Sequence, residues 1–205
     1  MSAVAAKRNG GFDFTYRLPF VRNWLSLYVD SMSPDDPSPL DAPRRPAANP
    51  GIYLSHFPHL PWLDLRFEAV YTETPARDPF SNGLGGQYIY WEAFYHDLYT
   101  NQGNIIGSWI GREGKGIQAW STYWLSPRST IQVSYRGAHV AKDFLEGGTY
   151  QDFGARADLL IRPQLSLASS LQYEQWDFPL LFPTRNSNFK TSLQLTYWPS
   201  WKIHP

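Results

Sequence analysis

The densest chemistry in this sequence lies in GREGKG (111–116), where Arg112, Glu113 and Lys115 stand among three glycines. A Gly-rich charged loop can cradle phosphate, but this one lacks the G-x-x-x-x-G-K-[ST] spacing and sits between strand-like segments. It reads instead as a hairpin loop in which glycine supplies positive φ, with Arg112, Glu113 and Lys115 placed to meet an anionic ligand. Arg44 and Arg45, beside Asp35, Asp36 and Asp41, form a second charged set. They are either a plainly solvated loop or another contact for such a ligand. Asp35 and Asp36 are a poor match for a glycosidase pair, since two adjacent residues in a Pro-rich loop do not flank a scissile bond. The five His are scattered, with no HExxH, and give no zinc site. The absence of Cys removes thiolate ligands, disulfides and a lipidated N-terminal Cys. Neither an enzymatic centre nor a metal or other cofactor is expected. Trp109, Trp120 and Trp176 fall near outer strand ends, where an indole either stacks on a sugar ring or anchors the strand at an interface.

Such loops need a scaffold, and the chain between them alternates with a period of two. Phe12, Phe14, Tyr16 and Leu18 oppose Asp13, Thr15 and Arg17; Leu63, Leu65, Phe67, Ala69 and Tyr71 oppose Asp64, Arg66, Glu68, Val70 and Thr72. The pattern predicts strands near 11–18, 24–30, 51–57, 63–72, 87–95, 105–110, 117–125, 131–136, 152–162, 165–174 and 189–198, and no helix. Prolines at 34, 37, 39, 43, 46 and 50 make 31–50 a long loop. Short turns near 19–23, 57–61, 99–104, 126–129 and 163–164 take turns with longer connections at 31–50, 74–86, 111–116, 141–148 and 178–187. That alternation describes an up-and-down antiparallel meander with two unlike ends.

Aromatics make up 17% of the 205 residues, with 18 basic and 18 acidic side chains and a mean hydropathy of −0.42. The charge balance gives no electrostatic footprint for nucleic acid. No apolar run is long enough for a transmembrane helix. Alternating strands occur in soluble sandwiches as well as in membrane barrels. Three features favour the membrane: strands of about 9–11 residues, the length a tilted strand needs to cross hydrocarbon; unlike turn and loop lengths at the two ends; and Trp24, Trp62, Trp91, Trp124 and Trp198 at or near strand ends. In a bilayer, Phe153, Leu159 and Ile161 face lipid. Asp13, Arg17, Asp64, Arg66, Glu68, Arg136, Arg156, Asp158 and Glu174 then face the lumen, whose mixed signs suggest a laced interior more than a wide single-sign pore.

GNIIGSWIGREGKGIQAWSTYWLSPR (103–128) resembles a signature stretch of the capsule assembly Wzi family. Similar segments occur in the same order at 12–31 (FDFTYRLPFVRNWLSLYVDS), 43–54 (PRRPAANPGIYL), 63–75 (LDLRFEAVYTETP), 171–181 (LQYEQWDFPLL) and 191–199 (TSLQLTYWP). The resemblance implies an all-β, antiparallel, up-and-down transmembrane β-barrel of about eighteen strands, of which this chain supplies about eleven C-terminal ones. It implies a bacterial outer-membrane location and a non-enzymatic, lectin-like role in binding capsular or extracellular polysaccharide and attaching it at the cell surface. Outer-membrane lipid is the other partner, and a monomer the expected state at full length. A porin-like channel for small polar solutes is the alternative. Residues 1–10 are expected to lie outside the barrel, 11–198 to form the barrel segment and 199–205 a tail. MSAVAAKRNG (1–10) lacks the apolar core of a secretory signal, so the chain is expected to be a fragment of a longer protein.

Overall fold

Period-two alternation yields one antiparallel sheet. The computed structural model describes residues 9–21, 23–34, 47–73, 90, 100–101, 104–105, 107–141 and 146–199. Its strands are β1 (Asn9–Arg17), β2 (Leu25–Pro34), β3 (Ala47–Leu54), β4 (Leu63–Tyr71), β5 (Thr100–Asn101), β6 (Asn104–Ile105), β7 (Gly114–Ser126), β8 (Ser129–Val140), β9 (Gly148–Arg162), β10 (Leu165–Asp177) and β11 (Asn186–Tyr197). Nine form the sheet, in the order β1-β2-β3-β4-β7-β8-β9-β10-β11, while β5 and β6 make a separate two-stranded ribbon. Every neighbour in the sheet is antiparallel and, apart from the passage from β4 to β7, consecutive. The turns at 18–24, 55–62, 127–128 and 163–164 lie at one end, and the longer connections at the other.

The sheet therefore has nine strands rather than eleven among the described residues. The expected strand at 87–95 lies outside them except for Tyr90, which sits in a turn with a φ of 58°. The expected strand at 105–110 is also corrected. Among its described residues only Ile105 is in a strand, and 107–113 turn back instead, because Gly107 and Gly111 hold φ values of 153° and 69° that a strand cannot use. β4 consequently pairs with β7 directly, from Leu63↔Tyr123 to Tyr71↔Lys115.

The loop expected at 31–50 is shorter too, since β2 runs to Pro34 and β3 begins at Ala47. Pro50 sits inside β3 because the β3–β4 ladder skips Asn49 and Pro50, pairing Ala48 with Tyr71 and Gly51 with Glu68. A residue with no N–H is tolerated where no donor is called for.

Burial is inverted relative to a soluble protein. Phe14 (55% exposed), Val133 (55%) and Leu193 (76%) stand open, while Glu68 (6%) and Asp152 (5%) are buried. Alternation gives the reason: Phe12, Phe14, Leu27, Phe67, Val133, Phe153 and Leu171 share one face, and Asp64, Arg66, Glu68, Arg136, Asp152 and Arg156 share the other. In water, leaving each large apolar side chain exposed forgoes roughly 1.5–3 kcal/mol. On the apolar face Tyr135 and Phe153 pack ring against ring across β8 and β9, with centroids 4.9 Å apart.

Candidate functional site

Strand register decides which polar side chains stand abreast. One row crosses from β2 to β10 as Tyr28, Gly51, Glu68, Gln118, Arg136, Asp152 and Glu174. The Glu68 carboxylate accepts from the Tyr28 hydroxyl and from the Gln118 amide. Tyr28 reaches it across Gly51, where a Cβ would run into the tyrosine ring. Gly51→Ala is therefore expected to displace Tyr28 from Glu68 and destabilise the protein by about 1–3 kcal/mol, as overpacking does; a shift in urea midpoint measures it.

Farther along the row, Asp152 Oδ2 accepts from Arg136 through both Nε (3.0 Å) and Nη2, from the Tyr150 hydroxyl (3.2 Å) and from Gln172 Nε2 (3.1 Å). Among the described residues nothing donates to Asp152 Oδ1.

The next row is Tyr53, Arg66, Trp120, Ser134, Gly154 and Gln172. The Arg66 guanidinium carbon lies 4.7 Å from the Tyr53 ring centre, 5.3 Å from Trp120 and 5.9 Å from Tyr28. Three rings thus hold one cation by its attraction to their π faces. The third row runs Asp64, Thr122, Gln132, Arg156 and Ser170. Here Asp64 accepts from the Thr122 amide (3.1 Å) and the Trp124 indole (3.0 Å), and Gln132 donates to the Thr122 hydroxyl (3.1 Å). Arg156 donates to Asp158 at 2.6 and 2.9 Å. All nine charged residues assigned to one face by alternation do share it. Their ion pairs and amide bonds fix a polar surface of carboxamides, hydroxyls, carboxylates and indole, chemistry suited to holding a polar ligand.

Residues 107–113 fold onto this face at its long-connection end. Thr72, 1% exposed, pins them. Its hydroxyl lies 2.9 Å from the Gly111 carbonyl oxygen and 3.1 Å from that of Gly114, and accepts from the Gly114 amide at 3.0 Å. The Ala141 amide donates to the Glu113 carbonyl (2.9 Å), and the Ser108 amide to the Tyr90 hydroxyl (2.8 Å). Trp109 and Ile110 approach Gly116 so closely that a Cβ there would touch both. Thr72→Val leaves the Gly111 carbonyl and the buried Gly114 amide without the hydroxyl that partners them, at roughly 1–3 kcal/mol. Tryptic cleavage after Arg112 is expected to quicken by about tenfold in the folded protein, since each 1.4 kcal/mol is a factor of ten in an opening equilibrium.

The structure scatters the residues singled out by type. Arg44 and Arg45 lie outside the described residues. Arg112 and Glu113 belong to the inward-folded turn, with Glu113 5% exposed and holding a φ of 47°, so glycine is not the only source of positive φ. Burial lowers the Arg112 pKa, opposed by the Glu113 carboxylate. Gly114–Gly116 are strand rather than loop; Lys115, the second residue of β7, is exposed and lies 3.7 Å from Glu73. Trp109 covers Arg136, whose guanidinium carbon is 5.8 Å from its ring. Trp120 is not near a strand end but in the middle of β7, on the polar face. Trp176, half-buried opposite Tyr150, does lie near the long-connection end of β10.

Trp24, Trp62, Trp124 and Trp198 gather at the short-turn end, and Trp91 lies outside the described residues. Trp124 turns its indole to Asp64, a polar-face contact. Reading by residue type missed Gln118, Gln132, Ser134, Gly154 and Gln172, whose significance comes only from standing abreast.

Comparison with curated proteins and with solved structures gave no match. The family model for capsule assembly protein Wzi matches residues 4–191. A match over nearly the whole chain agrees with an all-antiparallel sheet that is polar on one face and apolar on the other. The chain belongs to the Wzi capsule assembly family.

Proposed function

We propose that this chain is wall of an outer-membrane β-barrel that holds capsular or extracellular polysaccharide at the cell surface as a lectin, without catalysing a reaction. The observation that carries the reading is the inverted sheet in a member of a capsule assembly family. Its exposed face suits hydrocarbon, and its buried carboxylates, with the guanidinium groups that share their face, suit a lumen. β7 to β11, at 12–15 residues each, are long enough to cross a bilayer at a tilt. Residues 11–198 form the barrel wall in this reading, lipid is the partner of the apolar face, and the full-length protein is a monomer.

Polysaccharide contacts are proposed among Arg44, Arg45, Arg112, Glu113, Lys115, Trp109, Trp120 and Trp176. Of these, Trp120 has the strongest support, because it stands in the polar rows.

A porin-like channel is the competing reading. The mixed charges and the hydrogen bonds between rows weigh against it, and single-channel conductance separates the two. The protein is expected in outer-membrane fractions, and its deletion is expected to release polysaccharide from cells into the medium. Recovery as a soluble monomer, or unchanged surface polysaccharide after deletion, overturns the proposal.

A further inference from the structure

The polar rows are interrupted near the middle of the sheet. In the row that begins with Tyr53 and Arg66, two adjacent strands carry only Ser134 and Gly154, between the large side chains of Trp120 and Gln172. The missing bulk leaves a cavity of about 330 Å³ over β7–β10. Three strand spacings separate Trp120 from Gln172, roughly 14 Å at about 4.8 Å each. The rows on either side stand two residues away, roughly 7 Å. A single pyranose ring fits a notch of that size.

Chemistry at the rim matches its shape. Arg66 lies over the Trp120 ring, and Trp120 also lines the notch. Asp152 lends Oδ1, which nothing among the described residues uses. Gln132 spends an amide N–H on Thr122, Gln172 spends its amide on Asp152 and Glu174, and each has a carbonyl oxygen with no described donor. Ser134 adds a hydroxyl. Arg136 and Arg156 both have carboxylate partners, so the cavity is not a bare anion site. An indole beside acceptors and hydroxyls, with both lining cations, Arg136 and Arg156, already paired, is the pattern for a neutral polyol ring and not for a phosphate or a hydrocarbon.

We infer that the notch between Trp120 and Gln172, floored by Ser134 and Gly154, is a binding subsite for one neutral sugar ring of the polysaccharide. The inference rests on the lectin reading and moves its centre from the charged loops to the middle of the sheet. Such a subsite is filled by an end or a short branch of the polymer, since it lies several residues along the strands from the long connections.

The test uses the protein purified from outer membranes in detergent micelles. The probes are capsular polysaccharide from the same cells and the short oligosaccharides made from it by partial hydrolysis; affinity is read by calorimetry. Gly154→Val fills the notch, and the atom its Cβ approaches is the Ser134 hydroxyl, which can rotate away. Gly154→Val and Gln172→Ala are each expected to weaken binding of both probes at least tenfold while folded gel mobility is kept. Trp120→Phe, which keeps a ring over Arg66, is expected to weaken it less than Trp120→Ala.

If folded Gly154→Val and Gln172→Ala bind both probes as the parent does while Arg112→Ala and Lys115→Ala lose them, the subsite is overturned and the lectin reading stands. Failure of the unaltered protein to bind either probe overturns both. Should Gly154→Val not fold, Gln172→Ala decides on its own.

Discussion

Val133→Arg is expected to destabilise the membrane-embedded protein by about 2–4 kcal/mol, the cost of turning a guanidinium toward hydrocarbon near mid-depth. Thr130→Arg, on the same strand but on the polar face, is expected to change stability by less than about 1 kcal/mol. Thr130 stands opposite Asp158, so the new cation meets a carboxylate. The contrast is discriminating because Val133 is 55% exposed. For a protein in water, an arginine at so open a site is a surface substitution, worth within about 0.5 kcal/mol. Urea titration of protein folded into lipid vesicles, followed by the mobility of the folded band, measures both variants. Equal midpoints for the two would mean that the apolar face does not meet lipid, and the outer-membrane reading would go with it.

The division into faces was legible because it needs only parity. Asp64, Arg66 and Glu68 differ from Leu63, Leu65 and Phe67 by one step along the strand, and a period of two settles their sides wherever the strands begin or end. Register is another matter. At the Arg162–Pro163 turn the connection is so tight that Gly154 opposite Gln172 follows almost from counting. Arg136 and Asp152 are joined through the connection after Val140, whose composition sets no length for the ladder, so their pairing was not legible. The notch depends on four strands in register at once and has no signature in any one segment.

Residues 105–110 were misread for a different reason. Isoleucine and tryptophan at 105, 106, 109 and 110 have strand propensity, but Gly107 and Gly111 carry the conformations that turn the chain back. Ile110 is then buried against the polar face rather than exposed on the apolar one. The glycines were the available signal, since isolated glycines within an apolar run mark a break or a close approach. Pro50 misled in the opposite direction: a proline argues against a central strand, yet a local gap in one ladder makes room for it.

Asp152→Ala is expected to be among the most destabilising single changes on the polar face, at about 3 kcal/mol. Asp152 is nearly inaccessible, and its Oδ2 gathers donors from Arg136, Tyr150 and Gln172. Removing one partner of a buried pair costs about 3–5 kcal/mol, because the other charge keeps its desolvation penalty and loses its compensation. The Arg136 side chain is still 36% exposed, so water recovers part of the loss and the lower end of the range applies. Asp152→Asn, which keeps an acceptor but not the charge, should fall between the parent and Asp152→Ala. The pair itself is isolated by adding Arg136→Met. If the stranded guanidinium is the main cost, the double variant is more stable than the sum of the singles predicts, with a coupling of about 1.5–3 kcal/mol. Simple additivity would instead place the cost in the lost Tyr150 and Gln172 bonds. The same double variant also bears on the subsite: it removes Oδ1 along with Oδ2, so a stable double variant that binds oligosaccharide as the parent does would remove Asp152 from the rim of the notch.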